Sequence, residues 1–145
     1  MRAGTAEANA VVGDALSRSG NLAAAKSRLD AVISYDPGNA TALRARAELE
    51  LRTGKTKEAV DDAQKLVTVL PNSAADRLLL AKAFSASDNK AWADRTLWTA
   101  FRDIPANDTI YAALRASKKG KPDELADLQA EFDRQRDARV RKGLL

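Results

Sequence analysis

The chain of 145 residues contains no cysteine and no histidine. These absences exclude disulfides, metal sites with thiolate or imidazole ligands, and catalytic pairs of the Cys/His or Ser/His kind. Aromatic residues make up only 5% of the chain, although 45% of its residues are hydrophobic. A core with so few rings has to be built from close contacts between alanine-rich helices, so the composition favours an all-helical protein.

Long apolar runs are also missing. No stretch approaches the roughly 20 apolar residues that cross a bilayer, and the N-terminal sequence lacks the apolar segment of a secretory signal peptide. Helical character begins almost directly after Met1, which is consistent with a piece of a longer repeat protein whose targeting segment would then be missing. The sequence predicts a soluble chain and leaves open whether it resides in the cytoplasm or the periplasm. Its alanine and arginine content is typical of a bacterial protein.

Charge of one sign is not concentrated anywhere. The chain has 24 basic and 20 acidic residues, which gives a formal net charge of +4, and the two signs are interleaved. The segment DRQRDARVRK near the C-terminus is the strongest argument for a nucleic-acid partner. Two aspartates interrupt it, however, and basic residues near the C-terminal end of a helix are favoured by the helix dipole. Nucleic-acid binding is therefore a distant third hypothesis.

Three prolines, Pro37, Pro71 and Pro105, recur at equal intervals along the chain. Small residues keep the same interval in three sets, namely Gly13, Ala47 and Ala81, then Ala25, Ala59 and Ala93, and then Gly20 and Gly54. Proline ends a helix because it lacks an N–H group, and the residues two positions later, Asn39, Ser73 and Asn107, are suited to cap the next helix. Each period therefore reads as helix, turn, helix, turn.

The small residues predict where the two helices of a period face each other, because the absence of a large side chain lets two backbones approach. Gly20 and Gly54 are expected to end the first helix in a left-handed conformation, and Asp88 or Asn89 stands at the corresponding turn of the third period. Larger apolar residues at helical spacing are expected to form the core: Val12, Leu16, Leu29, Val32, Ile33, Leu49, Val60, Leu66, Val67, Leu80, Phe84, Leu97 and Phe101. Of the two tryptophans, we expect one to pack beneath the last helix and the other to be partly exposed.

A helix-turn-helix period of about 34 residues, with small residues at its eighth and twentieth positions and proline at its thirty-second, resembles the tetratricopeptide repeat. The resemblance implies a right-handed, all-α solenoid of three repeats and a C-terminal capping helix pair within a single domain, 1–145. The predicted repeats are 6–39, 40–73 and 74–107, and the capping segment is 108–142. Arg46 departs from the pattern, since the repeat usually has a large residue there. In the last predicted helix, Leu125, Leu128 and Phe132 form a narrow apolar stripe.

The resemblance also implies a concave groove lined by the first helices of the repeats. The groove residues that we expect to bind a partner are Asp14, Arg18, Arg44, Glu48, Arg52, Leu78, Leu79 and Lys82. Their basic and apolar side chains suit a peptide or protein segment with acidic and apolar residues. One subgroup of the family clamps the C-terminal carboxylate of chaperones, but Ala10, Asp14, Ala45, Ala75 and Leu79 replace its clamp residues, so that partner is disfavoured.

The sequence therefore predicts a non-enzymatic protein-protein interaction module, or scaffold. We expect no catalytic residue, cofactor, metal or small-molecule substrate, because nucleophile–base pairs and phosphate-binding glycine loops are missing. The alternative hypothesis is a structural spacer or self-association segment within a longer tetratricopeptide repeat protein, which would stack on further repeats through AEANAVVGDAL. Partner identity and oligomeric state are left open by the sequence.

Overall fold

The structure, a computed structural model, describes residues 2–145. This described part is helical throughout and contains no strand. Its eight helices are α1 (Ala3–Arg18), α2 (Leu22–Tyr35), α3 (Ala40–Arg52), α4 (Thr56–Val69), α5 (Ala74–Ala86), α6 (Lys90–Asp103), α7 (Asp108–Ser117) and α8 (Pro122–Arg141). Consecutive helices form antiparallel pairs, and each pair packs on the next. The all-helical solenoid predicted from the repeat is confirmed, whereas the number of repeats and their limits stay a prediction.

The predicted capping residues lie at the N-terminal ends of α3, α5 and α7, which follow the three prolines. The side chain of Asn39 accepts a hydrogen bond from the backbone N–H of Ala42, and Ser73 does the same for Asp76. Asn107 accepts bonds from two backbone N–H groups at the start of α7. Because these side chains satisfy N–H groups that a helix leaves without a partner, they set the chain positions at which the helices start.

The turns within the pairs also follow the sequence. Gly20 and Gly54 have φ angles of +89° and +76°, as their position after α1 and α3 predicts. In the third pair this conformation falls on Asp88, which has a φ of +60°. Aspartate tolerates the left-handed region better than most residues, so this turn is retained without glycine.

Close approach between α1 and α2 depends on Gly13. A Cβ atom added there would lie 2.7 Å from Cδ2 of Leu29, whose side chain is fully buried. The equivalent residues of the next two pairs, Ala47 and Ala81, are buried as well. The small residues of the repeat therefore lie at contacts between helices, as the sequence predicts.

Arg46, the departure from the repeat pattern, is held by acidic residues on both sides. Its Nε and Nη2 donate to the two carboxylate oxygens of Asp62 at 2.6 and 2.8 Å, and its Nη1 donates to Asp30 Oδ1 at 2.9 Å. These bonds raise the pKa of the guanidinium, with the bond to Asp62 as the main cause. An ion-pair network thus replaces the apolar contact that the repeat usually makes between α2, α3 and α4.

The prediction that Val12 belongs to the core is wrong, because this residue is 43% exposed. Val12 holds the position of its repeat that Arg46 and Leu80 hold in the next two, where the side chain faces the preceding helix pair. No helix precedes α1 in the part of the chain that the structure describes, so nothing covers this face. The expectation for the tryptophans is also wrong, because Trp92 and Trp98 are both exposed, with Trp92 stacked on Phe84 and Trp98 set edge-on against Phe101.

A second apolar cluster joins α6 to the C-terminal helices. The ring of Phe132 stacks on Tyr111 with a centroid distance of 4.2 Å and lies 6.4 Å from the ring of Phe101. Leu128 is buried beside them, whereas Leu125 is half-buried. Two of the three stripe residues of α8 thus cover the end of the helix stack, and the side chains of Gln135 and Arg139 bond to the turn between α6 and α7.

Candidate functional site

The first helices of the pairs, α1, α3 and α5, lie side by side and form an open cleft of about 610 Å³. We call this cleft the groove. It is lined by Asp14, Arg18, Glu48, Leu51, Arg52, Ala75, Leu78, Leu79 and Lys82. The structure therefore brings together all the groove residues named from the sequence except Arg44. Whether these residues bind a partner stays a prediction.

Two of the groove's basic groups bond to α1. Arg18 Nε donates to Asp14 Oδ2 at 2.9 Å, and this bond raises the pKa of the Arg18 guanidinium. Arg52 Nη2 donates to the carbonyl oxygen of Ser17 at 3.0 Å and also contacts the Ser17 hydroxyl. The guanidinium of Arg52 thus ties the C-terminal end of α3 to that of α1.

Two other charged groups of the groove are exposed and have no such bond. Among residues 2–145, neither Glu48 nor Lys82 makes a side-chain hydrogen bond or an ion pair. The same cleft has an apolar surface, formed by half-buried Leu78 and by Leu79, which is 8% exposed. The groove therefore offers a ligand one cation, one carboxylate and an apolar leucine surface.

Arg44 has a structural role instead. Its Nε and Nη2 donate to the two carboxylate oxygens of Asp76 at 2.7 and 2.8 Å, and the Asp76 side chain is completely buried. Burial by itself raises the pKa of the Asp76 carboxyl, but the hydrogen bonds from Arg44 and Ser73 outweigh it and lower the pKa. Because Asp76 holds its guanidinium, Arg44 links α3 to α5 and is not available as an unpaired groove cation.

Leu51 also lines the groove, although we did not select it from the sequence. It follows Glu48 by three residues and therefore lies on the same face of α3, so helical spacing could have found it. The sequence gives little indication that Leu51 lines the groove, because a leucine next to Leu49 and Glu50, both of which are buried, is more typical of a core residue.

Among residues 2–145, no group of three or more acidic side chains is arranged to hold a metal ion. No helix of this part is both long enough and apolar enough to cross a membrane.

Comparisons with known proteins agree on the fold. The model of the tetratricopeptide repeat family matches residues 13–77. The solved structure "MamA RS-1 ArsTM double mutant" superposes with a TM-score of 0.74 at 17% identity, over 95% of this chain and 79% of that one. "MamA 41-end from Desulfovibrio magneticus RS-1" gives a TM-score of 0.70 at 18% identity, over 91% of this chain and 74% of that one. "Crystal structure of MamA" gives a TM-score of 0.72 at 16% identity, over 97% of this chain and 81% of that one.

At these identities the likeness to MamA concerns the fold alone. A search of curated proteins by sequence gives no match. The family match covers α2, α3 and α4 together with parts of α1 and α5, which are the helices that carry the proline and small-residue spacing. The resemblance to the tetratricopeptide repeat that the regular proline and small-residue spacing predicts is thus confirmed over residues 13–77, where the family model matches.

Proposed function

We propose that the chain is a protein-interaction module that binds a peptide or protein segment in the groove. A role in protein-protein interaction is the one that the repeat family and the fold support. The observation that carries the finer proposal is that Lys82 and Glu48, two exposed charges without a side-chain hydrogen bond or ion pair, line the same cleft as a leucine surface. Charged groups beside an apolar surface give a ligand both orientation and contact area.

The groove best fits a segment that contains acidic and apolar residues. An acidic side chain would bind Lys82, and Arg18 would supply a second cation, since its bond to Asp14 is an exposed ion pair of small strength. An apolar side chain would pack on Leu78. A basic residue of the ligand would bind Glu48, which fixes the direction of the segment.

The helices that form the groove are held in place before a ligand binds. The bidentate bond of Arg44 to Asp76 joins α3 to α5, and the bonds of Arg52 to Ser17 join α3 to α1. Binding to a groove that is already ordered costs little conformational entropy, so a short segment can bind with useful affinity.

A selection from a library of random peptides displayed on phage tests this proposal. The selected peptides should be enriched in acidic and apolar residues, and a labelled one should bind the parent chain in a fluorescence anisotropy titration. The variant with Arg18→Glu and Lys82→Glu should bind it at least about tenfold more weakly, because two attractive charges become repulsive. Both side chains are exposed, so this variant is expected to keep its fold.

The matched control carries Lys57→Glu and Lys65→Glu, two exposed lysines of α4 that lie outside the groove. This control changes the net charge by the same amount and should bind the peptide within about twofold of the parent. Equal weakening by both variants would show that net charge, and not the groove, governs binding. Unchanged binding by the groove variant would refute the proposal.

A second candidate function is self-association through the outer face of α1. Val12 is exposed there beside a shallow cleft of about 390 Å³, lined by Asn9, Leu16, Ala24, Ser27, Arg28 and Ala31. If this face stacks on another helix pair, sedimentation velocity should show a concentration-dependent assembly that Val12→Glu abolishes. The control Val140→Glu, at an exposed valine of α8, should leave the assembly unchanged.

A further inference from the structure

Three equivalent positions of the repeat carry different chemistry where one helix pair meets the next. Phe84 occupies this position between the second and third pairs and belongs to the core. Lys118 occupies it between the third pair and α7, and its Nζ lies 2.7 Å from Asp94 Oδ2 and 3.3 Å from Glu124 Oε2. Glu50 occupies it between the first and second pairs. Two of the three positions are therefore satisfied, one by packing and one by ion pairs.

Glu50 is buried without such a partner. The residue is 5% exposed, and its Oε2 has no hydrogen-bond donor in the described chain. The Nε atom of Arg46 lies 3.9 Å from Oε1, which is too far for a hydrogen bond. Burial, with the nearby charge of Asp62, raises the pKa of Glu50 to about 7. A buried carboxylate oxygen without a donor is costly, and few native groups are left in this state.

The missing partner is a cation that the chain itself uses elsewhere. Lys26 holds in the first repeat the position that Asp94 holds in the third, and it thus lies on α2 opposite Glu50. Its ammonium is 2.5 Å from Asp30 Oδ2 on the next turn of the same helix and does not reach Glu50. The pair that Lys118 and Asp94 form is therefore not made at this position, because Lys26 bonds to Asp30 and leaves the Glu50 carboxylate without a cation.

Glu50 lies in the wall of a second cleft, between α2 and the C-terminal end of α3. This cleft, of about 560 Å³, is lined by Leu22, Ala23, Lys26, Ser27, Asp30, Leu49, Glu50, Thr53 and Lys55. Its surface is mainly apolar, and it shares no residue with the groove. The cleft has the volume to hold an unbranched side chain, and the Glu50 carboxylate is one of the charged groups in its wall, with those of Lys26, Asp30 and Lys55.

We propose that this second cleft binds a lysine side chain of a partner polypeptide, whose ammonium donates a hydrogen bond to the carboxylate of Glu50 while its methylene groups pack on Leu22 and Leu49. The site would then form the same ion pair that Lys118 and Asp94 form within the chain. A lysine side chain matches both features of the cleft, because its stem is apolar and its end carries three hydrogen-bond donors.

The charges around the second cleft also favour the binding of a cation. The groups that face Glu50 from the neighbouring elements are Lys26 and Asp30 of α2, Arg46 of α3, Lys55 before α4, and Glu58 and Asp62 of α4. With Glu50 ionised, carboxylates outnumber basic groups at this place. Because Arg46 is already bonded to Asp30 and Asp62, its charge is neutralised locally and does not serve Glu50.

The first test is a titration of the Glu50 carboxyl carbon by NMR in the intact chain. Without ligand, Glu50 should titrate near pH 7; a value near 4.5 would show that an internal cation already partners it and would overturn the proposal. The probes are lysine with an acetylated N-terminus and an N-methylamide C-terminus, and the equally blocked norleucine, which has the same stem without the ammonium. Saturation with blocked lysine should lower the pKa of Glu50 by about one unit, and binding should therefore be about tenfold tighter at pH 8 than at pH 5.5.

Variants separate the carboxylate from the cleft. Glu50→Gln keeps the shape of the side chain and should weaken binding of blocked lysine at least about tenfold at pH 8, while leaving blocked norleucine unchanged. Leu22→Trp fills the cleft and should weaken both probes. The control Glu131→Gln, at a partly exposed residue of α8 that pairs with Arg134, should change neither, and circular dichroism verifies the fold of each variant.

Three outcomes would overturn the proposal: unchanged binding of blocked lysine to Glu50→Gln, equal binding of blocked lysine and blocked norleucine to the parent, and far tighter binding of n-hexylammonium than of blocked lysine. The last outcome would assign the cleft to small amines in place of a polypeptide. Because the groove and the second cleft have no residue in common, these results are independent of the test of the groove.

Discussion

Removal of Arg46 tests how the ion-pair network holds the first two helix pairs together. In the variant Arg46→Met, Asp62 loses both hydrogen bonds to its carboxylate, and its side chain is only 3% exposed. Asp30 loses less, because its side chain is 39% exposed and keeps its ion pair with Lys26. The cost of the substitution therefore falls mainly on one buried carboxylate without a partner.

The magnitude follows from that burial. Removing one partner of a buried ion pair costs about 3–5 kcal/mol, because the remaining charge is left without compensation. Asp62→Leu should cost about 1–2 kcal/mol, since Arg46 remains bonded to Asp30 and is partly exposed. In the double variant Arg46→Met, Asp62→Leu, neither charge of the pair remains without its partner. An apolar pair then replaces the ionic one, and the chain should lose only about 0–1 kcal/mol of stability. The two substitutions should therefore be coupled by at least about 3 kcal/mol.

Urea unfolding followed by circular dichroism at pH 7.5 measures these free energies for the parent, both single variants and the double variant. Each variant should shift the midpoint without changing the slope m, which would show that the difference lies in stability and not in the extent of unfolding. The reasoning is refuted if Arg46→Met is as stable as the parent, or if the effects of the two single substitutions simply add in the double variant.

Three further predictions concern stability. Glu50→Gln should stabilise the chain by about 3 kcal/mol at pH 8 and by little at pH 4, because a carboxyl whose pKa rises to about 7 on folding makes the parent chain less stable as the pH increases from 4.5 to 7; urea midpoints that differ equally at both pH values would contradict this. Gly13→Ala should cost about 1–3 kcal/mol through its clash with α2, whereas Gly4→Ala, with open space around it, should cost nothing in thermal unfolding. Asn107→Ala should cost about 1 kcal/mol, since its side chain caps α7, and Asn21→Ala, which makes no capping bond, serves as the control in the same assay.

The features that the sequence predicts well are those that depend on a few neighbouring residues. Pro37, Asn39 and Gly20 act on the backbone beside them, so their effect can be read at their own positions. Their repetition then places equivalent helices side by side, and this is why the groove residues converge in one cleft although they come from three helices. Local chemistry and the period together thus account for the fold and for the location of the candidate site.

The features that the sequence does not reveal are pairings between side chains of different helices. Arg44 has the spacing of an exposed groove residue, and only its distance to the buried carboxylate of Asp76 shows that it is structural. Glu50 likewise has the residue type of a solvated helix face, and its burial follows from how α2 covers the end of α3. Such partners are chosen by helix packing, which brings together residues far apart in the chain and gives no local signal.

The separation of the core into two clusters has a consequence for the order in which the chain opens. One cluster extends from α1 to the start of α6, and the other joins α5 and α6 to α7 and α8, with the groove residue Leu78 packed against it. In a linear stack each helix pair depends only on its neighbours, so α7 and α8 can detach while α1 and α3 stay packed together. Backbone amides of α8 should then exchange with deuterium well before those of α3. Fraying at the C-terminal end would thus uncover Leu78 and weaken the apolar side of the groove, while the bond of Arg52 to α1 persists.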